Sequence, residues 1–279
     1  PARSGRRDHR TRPDARRSQV TGTEYYTFNS GQATDVGLKR QVNEDSFLSR
    51  PESGLWVVAD GMGGHAAGDF ASQTIIRQLF SVGMASSGED LQARFMERLI
   101  RANDAILDHA EELGRGTIGA TMVALLVHER NYACIWSGDS RIYRLRDGEL
   151  LQQTRDHTEL QALLDAGAMS PDEARDWPRK NVITRAIGVS PEPECDVVGG
   201  TLSLGDMFLL CSDGLTEHVE DAEIGRAMAD HEPQDACEAL IALTLERGAR
   251  DNVTVVAVRF DTPAPEALEA FDLKMDDVQ

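Results

Sequence analysis

The sequence is punctuated by short apolar runs that each meet an aspartate. Leu55–Ala59 leads into Asp60-Gly61, and Met207–Cys211 leads through Ser212 into Asp213-Gly214. Cys134-Ile135-Trp136 leads through Ser137-Gly138 to Asp139, and Asp251 directly precedes the run that opens near Asn252. Continuous apolar runs of this length suit strands buried on both faces. A fold that buries them must gather carboxylates at strand ends. One Asp-Gly step is an ordinary turn or cap. Several carboxylates at one sheet edge repel one another and rise in pKa unless something neutralises them. Hard divalent cations do so, and oxygen donors select Mg2+ or Mn2+ over Zn2+, which prefers His and Cys. There is no His-x3-His or Cys cluster. The glycines after Asp60 and Asp213 let the backbone come close, so the Gly61 carbonyl is a further candidate ligand.

Between these runs the periodicity predicts helices over Ala66–Gly83 and Asp90–Leu113, the second with Phe95, Leu99, Ala102 and Ile106 on one face. Strands follow at Thr121–Val127, Tyr132–Ser137 and Ile142–Leu145, and Asp147-Gly148 signals a hairpin. Short helices are expected at Glu159–Ala166 and Ser170–Asp176, longer ones at Asp221–Ala229 and Gln234–Gly248, and a closing strand at Val253–Phe260. Two helices, a block of strands, then helices and a strand indicate an α+β fold with helices on the outer faces of antiparallel sheets.

Charge narrows the partners. The chain of 279 residues carries a net −18. Such a surface repels phosphate backbones, so nucleic acid is not expected. The longest strongly apolar stretch, Met122–Val127, is far too short to span a membrane. Residues 1–17 hold seven Arg and two acids, net +5, leaving −23 for the rest. Residues 1–30 lack the apolar content to order themselves and read as a disordered Arg-rich tail. A domain is expected over 31–260 and an acidic tail over 261–279. Cys134, Cys195, Cys211 and Cys237 form no C-x-x-C pair and fit free thiols in a reducing cytoplasm.

Other motifs allow two readings. Arg40-Gln41-Val42-Asn43-Glu44-Asp45 is either a surface ion pair or a bidentate anion clamp beside a metal site. Asp60-Gly61-Met62-Gly63-Gly64-His65-Ala66 spells G-x-G-x-x-A. It lacks the acid-ending strand that a dinucleotide site needs about 20 residues on. No Ser occupies a G-x-S-x-G elbow and no Cys an electropositive loop, so covalent catalysis has little support. His65, His157 and His218 lie near candidate turns, where a lone His is most often structural or solvated.

Together these blocks resemble a known family. Thr34-Asp35-Val36-Gly37 through Arg40 to Asn43-Glu44-Asp45, Asp60-Gly61-Met62-Gly63-Gly64-His65, Gly119-Ala120-Thr121, Gly138-Asp139-Ser140-Arg141, Asp156-His157-Thr158, Ser212-Asp213-Gly214-Leu215 and Arg250-Asp251-Asn252-Val253-Thr254 follow the order and spacing of the PP2C (PPM) family, bacterial type. The resemblance implies an αββα sandwich of two antiparallel sheets flanked by helix pairs. It implies a serine/threonine protein phosphatase with two Mn2+ or Mg2+ ions, and a third in bacterial members. By position, Asp60, Asp213 and Asp251 match ligands of the first ion. Asp60, the Gly61 carbonyl and Asp45, or Glu44 through water, match the second. Asp139 with Asp213 matches the third, Arg40 the phosphate-binding arginine, and residues 157–187 the variable flap. A metal-bridging hydroxide would attack phosphorus directly, without a phosphoenzyme. Met62 stands where animal members carry a general-acid His, leaving His65 or a metal-bound water as proton donor. The implied partners are phosphorylated proteins and a cognate Ser/Thr kinase, and the chain is expected to be a monomer. The alternatives are a non-catalytic phosphoprotein-binding module on the same fold and a dinucleotide-dependent oxidoreductase.

Overall fold

The computed structural model describes residues 18–21, 24–63, 67–114, 116–174 and 177–261. The strands run β1 (Ser18–Thr21), β2 (Glu24–Asp35), β3 (Asp45–Arg50), β4 (Leu55–Met62), β5 (Gly119–His128), β6 (Asn131–Ser137), β7 (Arg141–Arg146), β8 (Glu149–Gln152), β9 (Asp196–Thr201), β10 (Met207–Cys211) and β11 (Val253–Asp261). The helices are α1 (Ala67–Leu79) and α2 (Gly88–Glu112) before β5, and α3 (Glu159–Asp165) and α4 (Pro171–Ala174) before β9. Next come α5 (Asp213–Thr216), α6 (Asp221–Asp230) and α7 (Pro233–Glu246). A six-stranded sheet has the order β1-β2-β11-β10-β7-β8, and a five-stranded sheet has β3-β4-β5-β6-β9, all pairs antiparallel.

The layering follows from the period of two along each central strand. In β4, Trp56 and Val58 enter a core between the two sheets, whereas Leu55, Val57 and Ala59 enter a core beneath α1 and α2. In β10, Phe208 and Leu210 join the inter-sheet core, whereas Met207, Leu209 and Cys211 pack against α6 and α7. Both faces of these strands are therefore buried, which is why they read as unbroken apolar runs. Phe28 and Trp56 meet edge to face at 5.3 Å across the sheets. At ~1.5–3 kcal/mol for each large buried side chain, the three cores supply the main drive to fold. The result is an αββα sandwich. Among the described residues, no helix is long and apolar enough to cross a membrane.

The Asp147-Gly148 hairpin joins β7 to β8, with φ of 51° and 81°. Both residues are left-handed, as a tight turn matching the strand twist requires. Four strands depart from the sequence reading. β2 begins at Glu24 and β1 precedes it, so strands occupy Ser18–Thr21 and residues 24–30 of the stretch expected as a disordered tail over 1–30, and the domain opens before residue 31. Polar residues in β2 hid it. Its backbone pairs with β11 from Thr27 to Asp35, Phe28 is buried, and Gly31 lies where a Cβ would stand 2.3 Å from the backbone of Gln234 in α7. β3 buries only every third residue, and β9 is an exposed edge strand containing Gly199-Gly200, so neither shows a buried-strand pattern. Of the tails expected over 1–30 and 261–279, residues 1–17, 22–23 and 262–279 lie outside the described residues.

Candidate metal centre

The carboxylates come from both sheets and meet at one end of the sandwich. Asp45 opens β3 and stands in register with Asp60 near the end of β4. Asp139 follows β6, Asp213 opens α5 directly after β10, and Asp251 lies two residues before β11. A side-chain hydrogen bond ties the sheets together here: Ser212 Oγ donates to Asp45 Oδ2 at 2.8 Å and accepts the Thr254 amide at 3.0 Å.

The loop between β2 and β3 carries Arg40 and Glu44. Asn252, buried at the head of β11, holds it from inside. Its Nδ2 donates to the carbonyls of Val36 and Val42, both at 3.0 Å, and its Oδ1 accepts the Glu44 amide at 2.8 Å. Gly37 makes the turn with φ of 75°, and a Cβ there would stand 2.2 Å from the Asp251 carbonyl. Arg40 Nη2 donates to Asp251 Oδ2 at 2.5 Å, with half of the Arg40 side chain exposed. Glu44 stays apart from this pair. Its carbonyl accepts the Gly61 amide at 3.2 Å, and its carboxylate lies against Gly68 in the first turn of α1. Gly61 and Gly68 pack backbone to backbone, so neither position has room for a Cβ.

Concentrated charge dominates the electrostatics. Burial, then repulsion from Asp45, Asp213, Asp139 and Asp251, pushes the Asp60 carboxyl well above the usual range. Asp213 rises likewise through burial, then Asp139, Glu217, Asp251 and Asp45. Burial raises Asp45 to about 6 despite hydrogen bonds from Ser212 and Thr254, and raises Asp139 to about 6, with Asp156 adding to it. The hydrogen bond to Asp251 holds the Arg40 guanidinium more firmly protonated than usual. Asp45 Oδ1 is buried without a hydrogen-bond partner.

Asp139 and Asp213 also line a cavity of about 300 Å³ shared with Arg141, Asp156, Lys180 and Glu217. From the segment expected as a flap, Thr158, α3 and Lys180-Asn181 line it, and bridges Thr158↔Ile183 and Ala120↔Ile187 tie these parts down. Met62, at the end of β4, turns its methyl group toward Gly119 and has no proton to give. His65 lies outside the described residues.

The donors suit a hard cation: all are oxygens, one buried carboxylate oxygen lacks a partner, and four carboxyls resist ionisation without a counter-charge. Among the described residues, no three His, Cys, Asp or Glu side chains already form a closed ligand set. Mg2+-like ions do not need one, because they keep several waters and use one or two carboxylates. The sequence reading missed Ser212, Asn252 and Thr254 as the residues that orient these carboxylates. Their only signal was a place inside the Ser-Asp-Gly and Asp-Asn-Val-Thr blocks.

Comparison with known proteins fits this geometry. The family profile described as protein phosphatase 2C matches residues 38–240. The chain belongs to the protein phosphatase 2C family. It is 40% identical over 224 residues to the serine/threonine protein phosphatase PstP of Mycobacterium tuberculosis, covering 80% of this chain and 43% of that protein. The chain thus spans less than half the length of that relative. Two solved structures of the family share the fold. PppA, described as a key regulatory component of the T6SS in Pseudomonas aeruginosa, superposes with a TM-score of 0.78 at 41% identity. That match covers 84% of this chain and 97% of PppA. The catalytic domain of PstP in complex with two manganese ions gives 0.77 at 38% identity, covering 85% and 99%.

Proposed function

We propose that this chain hydrolyses phosphoserine and phosphothreonine in proteins by direct attack of hydroxide on phosphorus, and that it reverses a bacterial Ser/Thr kinase. The observation that carries the reading is the convergence of Asp45, Asp60, Asp139, Asp213 and Asp251 from both sheets, with the partly exposed Arg40 guanidinium at the rim. Asp60, Asp213 and Asp251 would hold one divalent cation. Asp60, the Gly61 carbonyl and Asp45, with Glu44 through water, would hold a second, and Asp139 with Asp213 a third. When bound there, Mn2+ or Mg2+ would make hydroxide available near neutral pH and would offset charge on the phosphoryl oxygens.

The chain's own residues do the rest. Arg40 uses one Nη on Asp251 and keeps further donors in its planar fork, so it can take two phosphoryl oxygens while staying oriented. The cavity beside Asp139 and Asp213 has room for the residues flanking the phosphorylated one. No side chain in the described site is poised as a nucleophile, in keeping with direct hydrolysis. All four cysteines are unpaired, which suits a reducing cytoplasm.

The test is phosphate release from a phosphothreonine peptide with Mn2+, with and without EDTA, for wild type and Asp60→Asn. The expected result is release by wild type that EDTA and the mutation each abolish. Manganese binding without turnover on any phosphopeptide would instead support a phosphoprotein-binding module.

A further inference from the structure

Two histidines stand behind the centre, and each receives the backbone amide of the residue immediately before a site aspartate. Gly138, before Asp139, donates its N–H to His157 Nδ1 at 3.2 Å. Arg250, before Asp251, donates its N–H to His218 Nε2 at 3.1 Å. We propose that His157 and His218 are positioning residues whose neutral imidazoles fix the peptides that aim Asp139 and Asp251 at the metal ions. This inference rests on reading those aspartates as metal-site carboxylates.

His157 has the stronger grip. Its own amide donates to the Gly138 carbonyl at 2.9 Å, so two bonds join the same pair of residues. With Nδ1 accepting, Nε2 carries the ring proton and faces Asp196 Oδ2 at 3.2 Å, with Arg185 Nη1 also 3.3 Å away. Arg185 holds the other oxygen of that carboxylate at 2.9 Å. The ring lies over Trp136 with centroids 5.9 Å apart. Gly138 needs such a hold. Its φ is 109°, and a Cβ there would stand 2.4 Å from Thr121 Cβ, so no side chain of its own can anchor it. The His157 carbonyl also accepts the Thr184 amide at 2.7 Å, which links the wall of the cavity to the Asp139 peptide.

His218 works from the other side. Its carbonyl accepts from Arg247 Nη1 at 2.7 Å while its ring takes the Arg250 amide, so one residue pins the turn that delivers Asp251. The choice of imidazole has a physical reason. A carboxylate in either place would accept as well, but would add negative charge where Asp60 and Asp213 already resist ionisation. A neutral imidazole accepts without that cost.

The two are not equal. The Gly138 amide is buried, so water cannot replace a lost acceptor, whereas the Arg250 amide is exposed. Removing the acceptor from a group that orients a metal ligand typically costs about 10- to 100-fold in metal affinity. We expect that range for His157→Ala at one class of site, and less than about 10-fold for His218→Ala.

The test is calorimetric titration of the metal-stripped full chain with Mn2+, with melting temperatures recorded in parallel. Asn places an oxygen at the reach of Nδ1, and Gln places one at the reach of Nε2. His157→Asn and His218→Gln should therefore keep near-wild-type Mn2+ affinity, whereas His157→Gln and His218→Asn should behave like the alanine variants. A merely structural role predicts no such crossover. If His157→Ala fails to fold, the Asn and Gln variants still decide. Wild-type Mn2+ affinity in His157→Ala, or equal affinities for His157→Asn and His157→Gln, overturns the inference. Failure of the wild type itself to bind Mn2+ overturns the metal-site reading, and this inference with it.

Discussion

Stripping the metal and raising the pH should destabilise this protein, by an amount its buried carboxylates set. Asp45 and Asp139 both rise from an ordinary 3.8 to about 6 in the fold. Each holds its proton more tightly folded than unfolded. The stability this lends is complete below about pH 4 and is lost as the pH climbs through the folded value. Between about pH 5 and pH 8, one such group gives up ~1.4 kcal/mol and the pair ~3 kcal/mol. Asp60 and Asp213 shift in the same direction and add to the loss. Glu223 and Asp90, lowered to about 2 by arginine partners, finish titrating below this window and do not offset it. For a domain of this size ~3 kcal/mol corresponds to a fall of about 6–12 °C in Tm. The assay is thermal melting after EDTA treatment and dialysis, across that pH range, with and without Mn2+. Added Mn2+ should recover more stability at pH 8 than at pH 5, because protons and cation compete for the same oxygens. Asp45→Asn should flatten the pH dependence of the stripped protein. A stripped-protein Tm that stays level or rises from pH 5 to pH 8 would refute the reasoning.

Three further outcomes are expected. Asp60→Asn should lower phosphopeptide turnover by orders of magnitude while the circular dichroism spectrum stays native; wild-type turnover would sink its assigned role. Arg40→Ala should lower kcat/KM about 10- to 100-fold, the worth of a charged hydrogen bond at ~1.5–3 kcal/mol, mostly through KM in steady-state kinetics. Asn252→Ala removes three hydrogen bonds that fix the loop over 36–44 and should cost about 3 kcal/mol in urea unfolding, with activity weakened through a mispositioned Arg40.

What could be read in advance depended on where burial leaves a mark. β4, β5 and β10 are buried on both faces, so they are written as apolar runs, and the aspartates at their ends followed from chemistry alone. β2 left no such mark, because its place is fixed by backbone pairing with β11 and by the close approach of Gly31 to α7. β9 is exposed, and exposure leaves composition free. In the site, spacing could not rank Glu44 against Asp45. The fold gives them different surroundings, burying Asp45 opposite Asp60 and setting the Glu44 carboxylate against Gly68. Ser212, Thr254 and Asn252 act across separations of 42 to 216 residues, which no local pattern can report. The order of the four layers came from family resemblance, since periodicity alone does not say which sheet faces which.

β11, the last of the described strands, does not lie at an edge: it fills the middle of the six-stranded sheet, between β2 and β10. A growing polypeptide emerging from a ribosome must therefore hold that sheet open until residues 253–261 arrive. Asp251 and Asn252 arrive just ahead of them, bringing the partner of Arg40 and the clamp on its loop. An unfinished chain can thus make most of both helix-covered cores and still lack an assembled centre. On the function proposed above, the residues that complete the sheet are also those that complete the centre, so a copy truncated before Asp251 would lack both.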